Sequence, residues 1–443
     1  MKTRSLGTQI LAIVGGSCVA VAAVAWFLIG PPSRPEGSGR PGVPDGSEGP
    51  ESPIVLRDAT AQAGITWRHT DGSSGKRYIV ETITAGLATF DYDGDSLIDI
   101  YFVSGAPLQG TRVDVPPANA LYRNLGGFQF LDVTGQTGVG DLGHGVGVTV
   151  GDYDNDGAPD LYVSNFGPKV LYRNNGDGTF SDVTREAGVA DGNRVGAGAC
   201  FLDIEGDGDL DLFVANYVDF SYEKYKPHIV DGFHIYPSPV MYNRENDTLF
   251  RNNGDGTFTD VSQQAGIIDN EAGTGMGTVC ADYDNDGDTD IFVLNDVAQN
   301  YFYENDGSGK FSEVGMQRGL GFDGQGRYLA SMGVDCADYD NDGWLDFFQT
   351  SYSEQQPALY RNSGQGFFED RTTLAMPGTS ALPYINWGAN FADFDNDGDR
   401  DLFFANGNTQ DNLEAYTSSA TYEAPNTLLM NTGDGKFVEI TDR

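Results

Sequence analysis

The sequence of 443 residues is long enough for two or three ordinary domains or for one repeat array, and its 60 glycines, 26 Phe and 22 Tyr favour short strands joined by tight turns. Its 65 acids against 26 bases leave a net charge of −39, which repels nucleic acid and excludes DNA or RNA as a partner. Acid on this scale also destabilises a compact fold unless cations offset it.

Residues 10–30 form an uncharged, mainly apolar run after Lys2 and Arg4. Such a run has the length a bilayer core requires, and basic residues before it keep the N-terminus cytoplasmic. Residues 1–30 therefore read as a signal anchor, a transmembrane helix that exports the rest of the chain. Ala20-Val21-Ala22 and Ala23-Val24-Ala25 offer the alternative of a cleaved signal peptide and a secreted product, but Trp26 to Ile29 extend the apolar run past both. A lipoprotein reading at Cys18 is disfavoured by Gly15, which stands where a large aliphatic residue is expected. All three readings place the protein outside the cytoplasm, at the cell surface or on the periplasmic side. Residues 31–53 are rich in Pro, Gly and Ser and read as a flexible linker.

From residue 54 to 443 the chain repeats itself. An acidic nonapeptide recurs at 91–99, 152–160, 203–211, 282–290, 338–346 and 393–401, at intervals of 61, 51, 79, 56 and 55 residues. Periods of this size mark propellers and other repeat arrays. After each nonapeptide comes a strand–turn–strand pattern such as LYRNNGDGTFSDVT at 171–184. Glycine-rich apolar runs such as GVGVTVG (145–151) precede the nonapeptides, and runs such as LYVSN (161–165) follow them. Each unit is thus expected to be four antiparallel strands with the acidic loop between the first and second. Units of that kind arranged radially make an all-β propeller, its glycine-rich first strands beside the central channel.

Asp at positions 1, 3, 5 and 9 of the nonapeptide crowds four carboxylates together, which is costly without a cation. A calcium ion, which takes six or more oxygens in irregular geometry, resolves the crowding, and a glycine at position 6 lets the loop turn around it. The expected ligands are Asp91, Asp93, Asp95 and Asp99; Asp152, Asp154, Asp156 and Asp160; Asp203, Glu205, Asp207 and Asp211. They continue as Asp282, Asp284, Asp286 and Asp290; Asp338, Asp340, Asp342 and Asp346; Asp393, Asp395, Asp397 and Asp401, for up to six Ca²⁺. An EF-hand would need Glu at position 12, where Phe102, Val163, Val214, Val293, Gln349 and Phe404 stand instead. Ser96 replaces the position-6 glycine in the first loop.

The nonapeptides and the LYRNNGDGTFSDVT element resemble the FG-GAP/VCBS repeats of integrin-α-like propellers. The sequence is most similar to the propeller of the cartilage-acidic-protein group, through DATAQAGITWRHTDG (58–72), NYVDF (216–220) and LFRNNGDGTFTDVS (249–262). The resemblance implies Ca²⁺ on side chains 1, 3, 5 and 9, with the position-7 carbonyl, Ala158 in the second loop, assisting. That group usually has seven repeats and an ASPIC/UnbV domain at its C-terminus; six complete repeats and no such domain are read here. Residues 54–60 look like a fourth strand without its first three, so the ring is expected to be six-bladed or an incomplete seven.

The face opposite the acidic loops is formed by connections between second and third strands, two of which are long, 217–248 and 407–427. Tyr217, Tyr222, Tyr225, His228, His234, Tyr236 and Tyr242 could present a surface for a protein or glycan ligand there. The competing reading is that these rings pack the insertion onto the blades. With four histidines and no triad motif, an enzyme is not expected. A lyase-like, polysaccharide-active enzyme on the same scaffold is the alternative, though it would want a basic groove. Cys200, Cys280 and Cys336 precede acidic loops in separate repeats, and are expected to be isolated buried thiols too far apart for a disulfide.

Overall fold

The computed structural model describes residues 54, 56–268, 271–413 and 421–441. The expected anchor and the linker at 31–53 lie outside them; among the described residues no helix is long and apolar enough to cross a membrane.

Among the described residues, six four-stranded antiparallel sheets form six blades, at 86–132, 144–182, 196–260, 275–313, 334–370 and 385–439. Strand order within each sheet follows the chain. In blade 2, for example, His144–Gly151 pairs with Asp160–Phe166, which pairs with Val170–Asn174, which pairs with Phe180–Asp182. The first strands of successive blades, from blade 1 to blade 6, lie side by side around the channel. Close approach there explains the glycines. A Cβ on Gly277 would stand 2.4 Å from the Met332 carbonyl oxygen, and one on Gly333 2.0 Å from that of Trp387.

Apolar side chains fill the spaces between blades rather than one central core. Leu161 and Val163 of blade 2 pack with Tyr101 and Val103 of blade 1, and Phe292 of blade 4 packs with Phe347 of blade 5. Equivalent clusters join blades 2 and 3, 3 and 4, and 5 and 6. At the seam between blades 6 and 1 the arrangement changes. Blade 1 there carries its own cluster with Ala63, Ile65 and Trp67, and blade 6 carries another with Ile54.

Residues 54 and 56–59 form no strand, which corrects the expectation of a lone fourth strand. They lead instead into a helical turn, Thr60–Ala63, with the Asp58 Oδ1 atom accepting from Thr60 N at 2.9 Å. The same Asp-to-Thr contact opens the turn after blade 1 (Asp132, Thr134) and after blade 2 (Asp182, Thr184). This turn resembles those after blades 1 and 2: its Gly64 lies against the Phe130 carbonyl of blade 1, as Gly138 lies against the Phe180 carbonyl of blade 2 and Gly188 against the Phe258 carbonyl of blade 3.

Candidate metal loops and the cavity on the opposite face

Each acidic nonapeptide connects the first and second strands of its blade, and its ninth residue opens the second strand. The fold of the loop follows from its residue types. At position 4 the backbone is left-handed, with φ of 57° at Asn155 and 74° at Gly94, so asparagine or glycine is favoured there. Position 1 holds the turn together: Asp152 accepts from Asp156 N at 3.0 Å and from Gly157 N at 2.9 Å. Position 9 is buried and anchors the loop to the next hairpin, Asp160 accepting from Asn174 N at 2.7 Å and from Tyr153 N at 3.1 Å.

The carboxylates converge. Asp91, Asp93 and Asp99 bring ligand oxygens within 4.8 Å of one another, as do Asp152, Asp154 and Asp160. So do Asp282, Asp284 and Asp286, then Asp338, Asp340 and Asp346, and Asp393, Asp395 and Asp401. Loop 203–211 has Glu205 at position 3. One oxygen of the position-3 acid is buried without a hydrogen-bond partner in four loops, at Asp93, Asp154, Glu205 and Asp340. Burial also pushes position 9 up, to about 6 at Asp99, about 7 at Asp211 and Asp290, and about 8 at Asp160 and Asp346. An all-oxygen donor set with an orphaned buried oxygen fits a hard divalent cation. In two loops a guanidinium also faces these acids: Arg123 pairs with Asp93 and Asp95, and Arg361 with Asp340 and Asp342.

On the other face, at the mouth of the channel, lies a cavity of about 660 Å³. Trp67, Trp387, Tyr236 and Tyr422 give it aromatic walls, and Asp71, Glu81, Asp411 and Glu423 line it with carboxylates. Glu81 is buried and held by Ser74 Oγ at 2.9 Å and Tyr236 Oη at 2.9 Å. Trp67 stacks on Phe102 with ring centroids 4.7 Å apart. The blade 3 insertion reaches this cavity from across the ring. Tyr236 N donates to Gln410 Oε1 of blade 6 at 2.9 Å, and Arg77 pairs with Asp411.

Of the seven aromatic and histidine residues singled out in the insertion, only Tyr236 lines the cavity. Tyr217 is buried, and Tyr222, Tyr225 and Tyr242 pack with Tyr78 and Phe220 into a plug over the channel. His234 Nε2 lies 3.1 Å from Tyr225 Oη, and His228 sits in a small hairpin, His228–Val230 with Phe233–Ile235. The rings chiefly hold the insertion down. Trp67 and Asp71 fall in the DATAQAGITWRHTDG segment; no feature of the sequence places them in one cavity with Trp387, which lies in the last blade.

Five stretches, 91–163, 153–214, 240–293, 282–349 and 338–404, match the FG-GAP-like repeat, and together they cover more than half of the chain. The chain belongs to the FG-GAP-like repeat family. Among curated relatives, cartilage acidic protein 1 of Mus musculus is 27% identical over 278 residues, covering 60% of this chain and 39% of the relative. The Xenopus tropicalis protein of the same name is 30% identical over 179 residues, 38% of this chain and 27% of the relative. This FG-GAP propeller is related to that group, and spans less than half the length of those relatives. An Agrocybe aegerita lectin that recognises non-reducing terminal N-acetylglucosamine aligns with a TM-score of 0.47 and 17% identity, over 80% of this chain and 79% of the lectin. An exotype rhamnogalacturonan lyase aligns with a TM-score of 0.40 and 15% identity, over 80% of this chain and 56% of the lyase.

Proposed function

We propose that this FG-GAP propeller is an extracytoplasmic, calcium-stabilised binding module that takes a glycan in the cavity at the channel mouth. The cavity carries the proposal: Trp67, Trp387, Tyr236 and Tyr422 around Asp71, Glu81, Asp411 and Glu423. Aromatic faces stack on the C–H faces of sugar rings, and carboxylates accept hydrogen bonds from sugar hydroxyls. Its volume is that of a pocket for a ligand of a few rings. Calcium in the nonapeptide loops acts on the far face as scaffold, since the loops and the cavity lie at opposite ends of the first strands. The apolar run at 10–30 supports anchoring in a membrane with the propeller outside. The module binds and does not catalyse.

A glycan array probed with the calcium-loaded protein, beside Trp387→Ala and Tyr422→Ala, tests this reading. Retention of one glycan class by the parent protein, lost in Trp387→Ala and weakened in Tyr422→Ala at unchanged thermal stability, is expected. Binding that survives both substitutions moves the site elsewhere. A protein ligand with no glycan retained, or release of unsaturated oligosaccharides from an acidic polysaccharide, overturns it.

A further inference from the structure

Cys200 lies near the end of the first strand of blade 3, Gly196–Leu202, and Cys280 near the end of that of blade 4, Gly275–Ala281, and the expectation that they stand far apart is wrong. Cys200 lies three residues before its acidic loop and Cys280 two before. Because side chains alternate along a strand, that one-residue difference turns the two thiols to opposite faces of their blades. Cys200 thereby faces blade 4 and Cys280 faces blade 3. The partition of the cores agrees: Ala199 and Phe201 pack towards blade 2, whereas Leu202 and Cys280 belong to the cluster between blades 3 and 4.

The strands are close enough for the thiols to meet. A Cβ on Gly198 would stand 3.0 Å from Thr278 N, so the two backbones nearly touch at that level. The first strands of neighbouring blades run in the same direction, and two residues further along each strand places Cys200 opposite Cys280. Cys200 Sγ lies 3.9 Å from Thr278 Oγ1, on the strand face that Cys280 shares, and the neighbouring Cys200 thiol adds to burial in pushing the Cys280 thiol up. Cys280 is partly exposed and Cys200 is buried. Cys336 belongs with Tyr283 in the cluster between blades 4 and 5.

We propose that Cys200 and Cys280 are the site of a disulfide that staples blade 3 to blade 4 beside the channel. With a small disulfide such as glutathione disulfide as oxidant, the Cys280 sulfur, on the less buried of the two residues, attacks it, forming a mixed disulfide and releasing one glutathione. The Cys200 sulfur then attacks Cys280 and releases the second glutathione. The two protein thiols lose two protons and two electrons, and the glutathione disulfide becomes two thiols. The closed loop contains the whole 217–248 insertion, so the cross-link limits the freedom of that insertion in the unfolded chain.

The test is to incubate the folded, full-length protein with glutathione disulfide, alkylate free thiols under denaturing conditions, and map peptides without reduction. A Cys200–Cys280 linked peptide is expected, with Cys336 alkylated, and the same link should form in Cys336→Ser. The melting temperature of the oxidised parent should exceed that of the reduced one by several degrees, a difference absent in Cys280→Ser. Both cysteines fully alkylated after exhaustive oxidation, or linkage only to Cys336, overturns the proposal. Linkage that forms only once the protein is unfolded in urea also overturns it.

Discussion

The side-chain amide of Asn174 in blade 2 donates to the Tyr92 carbonyl in the acidic loop of blade 1 at 2.8 Å. Its own backbone N–H binds Asp160, the ninth residue of the acidic loop of blade 2, so one asparagine couples two neighbouring candidate metal loops. The contact recurs around the ring. Asn252 reaches the Tyr153 carbonyl, Asn305 that of Ile204, Asn362 that of Tyr283 and Asn431 that of Tyr339, all within 2.8–2.9 Å. Asn124 of blade 1 reaches the Ile98 carbonyl of its own loop instead.

Replacing Asn252 by Ala should leave the buried Tyr153 carbonyl unpaired and cost about 1–3 kcal/mol. Asn124→Ala removes no contact between blades and should cost measurably less. Urea unfolding of the two variants at saturating calcium gives the comparison, and equal losses would show that the asparagine acts within its blade.

Asp247 carries a pH dependence. In blade 1 Asn119 Oδ1 accepts from Ser104 N, and in blade 4 Asn300 Oδ1 accepts from Asn295 N; in blade 3 Asp247 takes that place and accepts from Asn216 N at 2.9 Å. Burial pushes Asp247 up to about 7, from the usual 3.8. The folded state therefore holds a proton that the unfolded chain releases, so this residue draws stability out as pH rises from about 4 through about 7. Asp247→Asn restores the repeat's own residue. It should match the parent near pH 4 and exceed it by about 2–4 kcal/mol at pH 8. Unfolding curves across that range check the sign: a variant no more stable at pH 8 than at pH 4, relative to the parent, contradicts it.

Ser96 adopts φ of 68° where the other five loops have glycine, at φ between 89° and 99°. Ser96→Gly should stabilise the protein by about 1 kcal/mol through relief of the left-handed backbone, read as a higher midpoint of denaturation. An unchanged or lowered midpoint would mean that the serine hydroxyl offsets the strain.

Much of this architecture is legible in the sequence. The order of strands, the hairpins and the place of the acidic loops follow from patterns that repeat in register, because each blade is built by local pairing. The Asn or Gly at position 4 of every loop signals its left-handed turn. What the sequence conceals depends on contacts between units. Tyr222 and Tyr225 look as suited to a ligand as to a plug until Tyr78, from before blade 1, packs against them. Trp67, from before blade 1, and Trp387, in the last blade, line one cavity only because the circle of blades brings distant parts of the chain to it. Cys200 and Cys280 were separable by spacing alone, yet the change from three residues to two before the loop is the signal that they face each other.

The role of calcium as scaffold is tested most directly by thermal unfolding of the full chain with saturating Ca²⁺ and with excess chelator. Ions held by converging carboxylates stabilise the native state by about 3 kcal/mol per site at a hundredfold excess over Kd. The account predicts a melting temperature at least about 5 °C higher with Ca²⁺, and a smaller gain when Asp154 and Asp340 are both replaced by Asn. The same melting temperature in Ca²⁺ and in chelator would contradict it.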